Sequence, residues 1–233
     1  MKTWNIRLRS GIIFLLVIAS AALLAVTLAS AQQNEPDVGF RWAFGAMILS
    51  DGKKDIQPVV RDMTLKSGDQ LKMMIELQKR CYVYLFHYNQ HDGLKLLFPY
   101  SLQQFDSDYR VKQKYFIPRG EAWFQLDQNP GQESFHLVAA SMRLEDLEKD
   151  YLRFESAEKD KKAEAARSVL DRIRALRKEH RELASPAERP VPIGGALRGL
   201  QQFPGVDQSD ITALADEIAS SGFVARTYTI AHE

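Results

Sequence analysis

Residues 40–49 alternate between apolar and small or polar positions. Phe40, Trp42, Phe44, Ala46 and Ile48 fall on one face at a period of two, which predicts a β-strand. Asp51-Gly52 marks a turn, and residues 59–63 follow Pro58 as a weaker strand or extended segment. Residues 65–69, with Gly68 and Asp69, read as a second turn. Residues 71–77 resume the alternation, with Leu71, Met73, Ile75 and Leu77 inward and Lys72 and Glu76 on a partly wet face. Residues 81–88 differ. Cys81, Val83 and Leu85 point one way, ending in His87, and Tyr82, Tyr84, Phe86 and Tyr88 point the other. A strand apolar on both faces must be covered on both sides: by a second sheet on one, and by something else, such as a helix, on the other. Residues 89–93 (Asn-Gln-His-Asp-Gly) predict a hairpin turn and residues 94–98 its return strand, stopped by Pro99.

Residues 100–112 read as a polar loop. Residues 115–117 and 123–126 are short strands around a turn at 118–120, and residues 134–140 a buried strand. The period then changes. Residues 144–184 contain no Gly or Pro, and Leu147, Tyr151, Phe154, Val169, Ile173, Leu176 and Leu183 recur at helical spacing. The charged stretch between them, 155–164, allows either two helices or one long helix with an exposed middle. Residues 185–195 are a Pro/Gly loop, and 196–203 a short helix. A helix capped at Asp207 or Ser209 is expected to run to Ser220, with Ile211, Leu214 and Ile218 inward and Gly222 as its stop. Residues 223–231 alternate as a final strand. Strands, then helices, then a strand predict an α+β, mainly β fold: an antiparallel β-sandwich core with a helical region inserted before the last strand. Residues 40–233 are expected to form one domain.

The first 31 residues lie outside this pattern. Lys2, Arg7 and Arg9 precede an uncharged apolar run at 12–28 and a small-residue site at 29–31, the layout of a secretory signal peptide cleaved between Ala31 and Gln32. The run also approaches the ~20 residues that span a bilayer, so an uncleaved anchor remains the alternative, with a tether at 32–39. Either way the rest of the chain is expected outside the inner membrane, periplasmic or extracellular, and a membrane partner is expected only through this segment. The whole chain carries 31 basic and 30 acidic residues. Without the three leader cations the balance is 28 to 30. That near-neutral surface argues against nucleic acid as a partner. The single cysteine, Cys81, excludes an internal disulfide.

An ordered set of short motifs carries a resemblance: Leu65-x-x-Gly68-Asp69, Tyr82-x-Tyr84-Leu85-Phe86, Leu96-Leu97-Phe98-Pro99, Ile117-Pro118 and Gly131-x-Glu133. In that order they resemble the bacterial family called domain of unknown function 4384, over about residues 60–141. The resemblance implies a small β-sandwich, accessory to exported proteins or to caspase-like peptidases and kinases. It brings no catalytic residues.

No catalytic, cofactor or metal pattern emerges from the residues themselves. Cys81 and His87 are six strand positions apart, about 20 Å, too far for a nucleophile–base pair. His87, His91, Asp92 and His136 match no standard ligand spacing. There is no phosphate loop, G-x-S-x-G, H-E-x-x-H or C-x-x-C. The expected function is therefore a noncatalytic module that binds an envelope protein. A cell-wall glycan is the alternative, suggested by Tyr82, Tyr84, Tyr88, Tyr100, Tyr109 and Trp123, although core packing would also explain most of them. An unrecognised hydrolase ranks last. His91, Tyr100, Tyr109, Arg110, Arg174 and Arg177 are the candidate interaction surface, on the hairpin tip, the loop after Phe98 and the charged helix. No cofactor is expected.

Overall fold

The computed structural model describes residues 36–50, 53–183 and 208–233, and Pro36–Glu233 form one compact unit. The strands are β1 (Val38–Ser50), β2 (Lys53–Pro58), β3 (Asp62–Leu65), β4 (Gln70–Leu77), β5 (Tyr82–Asn89), β6 (Gly93–Phe98), β7 (Lys114–Ile117), β8 (Phe124–Gln125), β9 (Gly131–Ala140), β10 (Asp216–Ser220) and β11 (Phe223–His232). The helices are α1 (Gln104–Ser107), α2 (Glu145–Ser156), α3 (Lys162–Leu183) and α4 (Gln208–Ala213). The fold is α+β and mainly β. It is a sandwich of two sheets with helices on both outer faces.

In the first sheet β1 and β4 are central. β10 and β2 share the far side of β1, and β7 and β8 share the far side of β4. The second sheet runs β3-β11-β9-β5-β6. The inward faces meet in one core that includes Phe40, Trp42 and Phe44 of β1, Met73 and Ile75 of β4, Val83 and Leu85 of β5, and Leu137 and Ile230. Each such side chain contributes roughly 1.5–3 kcal/mol by leaving water.

β5 is covered on both faces, as its two-sided pattern requires. Its other face, Tyr84 and Phe86, packs with Val138 under Leu147, Tyr151 and Phe154 of α2 and Val169, Leu170 and Ile173 of α3. The helical region is thus two helices joined at 157–161. They run antiparallel, since Arg172 of α3 reaches Asp150 of α2 while Lys162 reaches the carbonyl of Phe154.

Several expectations are corrected. Residues 59–63 are not one strand: Val59 and Val60 lie between β2 and β3, and β3 pairs in parallel with β11, so the second sheet is mixed. The helix expected to run to Ser220 stops at Ala213. Asp216–Ser220 is instead β10, paired with β1, and Ile218 enters the sandwich core from a strand. Local residue preference there loses to an edge that only the folded β1 supplies. Gly222 accordingly stops no helix. Residues 100–112 are not a free polar loop, because Leu102, Gln104 and Phe105 are buried around α1. Lys72 is not on a wet face; it is 1% exposed. The expected leader and its cleavage site at Ala31 and Gln32, the loop at 185–195 and the helix at 196–203 lie outside the described residues. Among the described residues no helix is long and apolar enough to cross a membrane.

Candidate functional site

One end of the sandwich gathers polar groups that point inward. His87 and Asn89 continue the inner face of β5, Glu133 begins that of β9, and His232 ends that of β11. His87 Nε2 lies 2.5 Å from Glu133 Oε2, and the Asn89 amide donates to both carboxylate oxygens at 3.2 and 3.3 Å. Burial pushes the Glu133 carboxyl up. The hydrogen bond and charge of His87, with the Asn89 amide, outweigh burial and hold it below the usual range. Beside them Ser67 Oγ lies 3.0 Å from His232 Nε2. That pair resembles a nucleophile and base, but its surroundings are committed elsewhere. The amides of Ser67 and Gly68 donate to the carbonyls of Glu233 and Leu126, so neither is free to hold an oxyanion. His232 Nδ1 is buried and has no partner among the described residues to orient the ring. The arrangement ties the last strand to the turn at Gly68. Among the described residues no group of three or more His, Cys, Asp or Glu side chains is placed to hold a metal.

The sequence-derived candidates do not converge. His91 is exposed at the β5–β6 turn, near Gly131. Tyr100 and Tyr109 are half-buried in one aromatic cluster with Phe98, Phe105 and Tyr115. The Tyr109 hydroxyl accepts the Val83 N–H at 3.0 Å, and the Tyr100 hydroxyl donates to the Phe116 carbonyl at 2.6 Å under the Arg119 guanidinium. Burial raises both phenols, Tyr100 to about 12 against the opposing charge of Arg119. Arg110 is exposed, 3.6 Å from Asp108. Arg174 and Arg177 stand together on α3, Arg174 paired with Asp171 and Arg177 donating to Thr227 Oγ1 at 3.2 Å. Burial first, then these two guanidiniums, lowers His136 beneath them to about 4. Cys81 is buried, and burial pushes its thiol up.

Two other features escaped the sequence. The Tyr84 hydroxyl reaches through the helical layer. It donates to Glu148 Oε1 at 2.6 Å and accepts the Leu144 N–H at 3.0 Å, while Arg143 bridges Glu148 to Asp106. This network fixes the start of α2. Around it lie two shallow surface depressions that both border Leu152. One, of about 80 Å³, lies against Leu96, Tyr100, Leu102 and Tyr151; the other, about 280 Å³, lies against Arg143, Glu145, Glu148 and Lys149. Leu152 is 47% exposed, and Met142, just before α2, is 75% exposed. A signal for Leu152 existed: it is a leucine off the inward stripe of Leu147, Tyr151 and Phe154.

Fold and surface together define a small β-sandwich module with a helical outer layer. The family model described as Domain of unknown function (DUF4384) matches residues 64–143, so the resemblance drawn from the motifs holds for the part from β3 to just past β9. α2, α3, β10 and β11 fall beyond that match. No curated protein and no solved structure matches the chain.

Proposed function

We propose that this chain is an exported, noncatalytic module that engages a protein partner at the bacterial cell envelope, with α2 as the contact face. The observation that carries the reading is Leu152. It is a large apolar side chain left exposed on a helix whose apolar stripe is already buried. Shallow depressions on both sides leave room for partner side chains, and Arg143, Lys149 and Glu155 form a charged rim. An apolar anchor inside a polar rim is the arrangement that concentrates binding energy at protein interfaces. The depressions, about 80 Å³ and about 280 Å³, are below the roughly 300–1,000 Å³ of small-molecule sites, the larger one only just. The leader composition supports export.

The test is co-purification of the full-length chain from envelope extracts, beside a Leu152→Glu variant. A partner retained by the native chain and lost with the variant supports the reading. A chain that runs alone under all extraction conditions sinks it. Mass spectrometry of the mature N-terminus decides between a cleaved leader and an anchor.

A further inference from the structure

β11 is paired along its whole length with β9 on one side, but on the other side β3 covers only Thr229–His232. The direction of the backbone groups follows from one bond. The Thr229 N–H donates to the Arg61 carbonyl at 2.7 Å, so Thr229 faces the β3 side. Successive residues alternate, so Phe223, Ala225 and Thr227 also turn their N–H and C=O groups to that side. The Phe223 carbonyl accepts Ser220 Oγ at 2.9 Å. The backbone groups of Ala225 and Thr227 and the N–H of Phe223 have no partner among the described residues. β3 does not extend to meet them because the chain turns away before it, where the Val59 N–H bonds the Phe44 carbonyl.

The side chains around this open edge are mostly cationic. Arg226 lies on it, Arg61 precedes β3, and Arg177 crosses from α3 to Thr227; all three are exposed, against Asp62 on β3. Arg174 is nearby on α3 but is paired with Asp171. Val60, 55% exposed, adds an apolar contact at the end of β3.

We propose that this edge binds an extended acidic segment of a partner protein, which adds to the second sheet as a strand collinear with β3. Main-chain bonds to Ala225 and Thr227 supply the register, and Arg226 on the sandwich side of β11 and Arg177 on its helical side, with Arg61 at the start of β3, select acidic side chains on both faces of the added strand. The existing β3–β11 pairing shows that the edge accepts a neighbour. The surface is separate from that around Leu152, so either reading stands without the other.

The probe is a labelled peptide in which glutamate pairs alternate with valine pairs, so that acids project from both faces of the added strand, with the matching lysine–valine peptide as control, added to the full-length chain. Binding is read by fluorescence anisotropy and by hydrogen exchange at single amides. The acidic peptide is expected to bind, to slow exchange at Ala225 and Thr227 at least tenfold, and to be outcompeted by salt. Ala225→Pro removes an outward N–H without touching the β9 ladder and is expected to weaken binding at least tenfold. Arg226→Glu, at an exposed position, should do the same if Ala225→Pro fails to fold. No binding, equal binding of the lysine peptide, or binding unchanged in both variants overturns the proposal. Concentration-dependent protection of Ala225 and Thr227 without peptide also overturns it, by assigning the edge to a second copy of this chain.

Discussion

Replacing Lys72 by Met should destabilise the protein by about 2 kcal/mol, although sequence pattern places this residue on a wet face. Lys72 sits opposite the gap between β7 and β8, since β7 pairs with Met73 to Glu76 and β8 with Gln70 and Leu71. Its Nζ fills the gap, 2.6 Å from the Gly120 carbonyl, 2.5 Å from that of Ala122 and 3.4 Å from that of Pro118. The rings of Phe116 and Trp123 flank it at 5.9 Å. Two short bonds from an ammonium are worth roughly 1.5–3 kcal/mol each. Burial opposes them, as the lowered pKa of Lys72 records, with Glu121 pulling the other way. Gly120 and Ala122 are exposed, so water replaces part of what the carbonyls lose. Met keeps the packing of the stem. About 2 kcal/mol remains, which corresponds to a melting temperature lower by roughly 4–8 °C in a folded unit of this size. Urea and thermal unfolding of both proteins measure it, and exchange at 118–123 should quicken. A Lys72→Met midpoint within about 0.5 kcal/mol of the native protein would refute the reasoning, because the buried ammonium would then be offsetting its own bonds.

Three further expectations follow from buried contacts. His136 stays neutral in the fold down to about pH 4, whereas in the unfolded chain it takes a proton below about 6.5. Stability should therefore fall as pH drops from 6.5 toward 4, by up to about 3 kcal/mol, and His136→Gln should flatten that slope in urea titrations at fixed pH values. Tyr84→Phe leaves the buried Glu148 and the Leu144 amide each short of a partner. It should cost about 2 kcal/mol and raise amide exchange at the start of α2; unchanged exchange there would remove this anchor from the account. A Cβ on Gly45 would lie 2.7 Å from Ile211 Cδ1 and 3.1 Å from Leu214 Cδ1. Gly45→Ala should be mild, since those side-chain ends can swing away, while Gly45→Val should displace α4, seen as protease cleavage near residue 211.

The sequence revealed the sheet members whose faces repeat locally. β1, β4 and β11 follow from alternation, β6 from the hairpin turn before it and β9 from its apolar run, and the double-sided β5 correctly demanded cover on both faces. It hid strands whose identity comes from a distant neighbour. β3 exists because β11 lies beside it, and β10 because β1 offers an edge. Its Asp-Glu-Ile-Ala-Ser residues suit a helix equally well. The candidate surface was legible by residue type but not by position. Tyr100 and Tyr109 looked like ligand platforms, yet their hydroxyls close backbone bonds in the strap after β6. Glu133 and His232 fell just outside the expected strands 134–140 and 223–231, and only the longer β9 and β11 and their register with β5 bring them to one end of the sandwich.

Breaking the local pattern is therefore not enough to mark a functional position. Lys72, Glu133 and Glu148 are all charged groups that the fold buries, and each is satisfied from within: by three carbonyls, by His87 and Asn89, and by Tyr84 with Arg143. A buried charge with complete partners holds a fold in one arrangement and has little left to offer a ligand. Leu152 and the outward amides of β11 break the pattern in the opposite sense, because nothing among the described residues completes them. An exposed leucine lacks apolar cover, and an open strand edge lacks a hydrogen-bonding neighbour. The first calls for a side chain and the second for a backbone. A partner that answers both would have to present a folded surface to α2 and an extended segment to β11, and the Leu152→Glu and Ala225→Pro variants separate those two contributions.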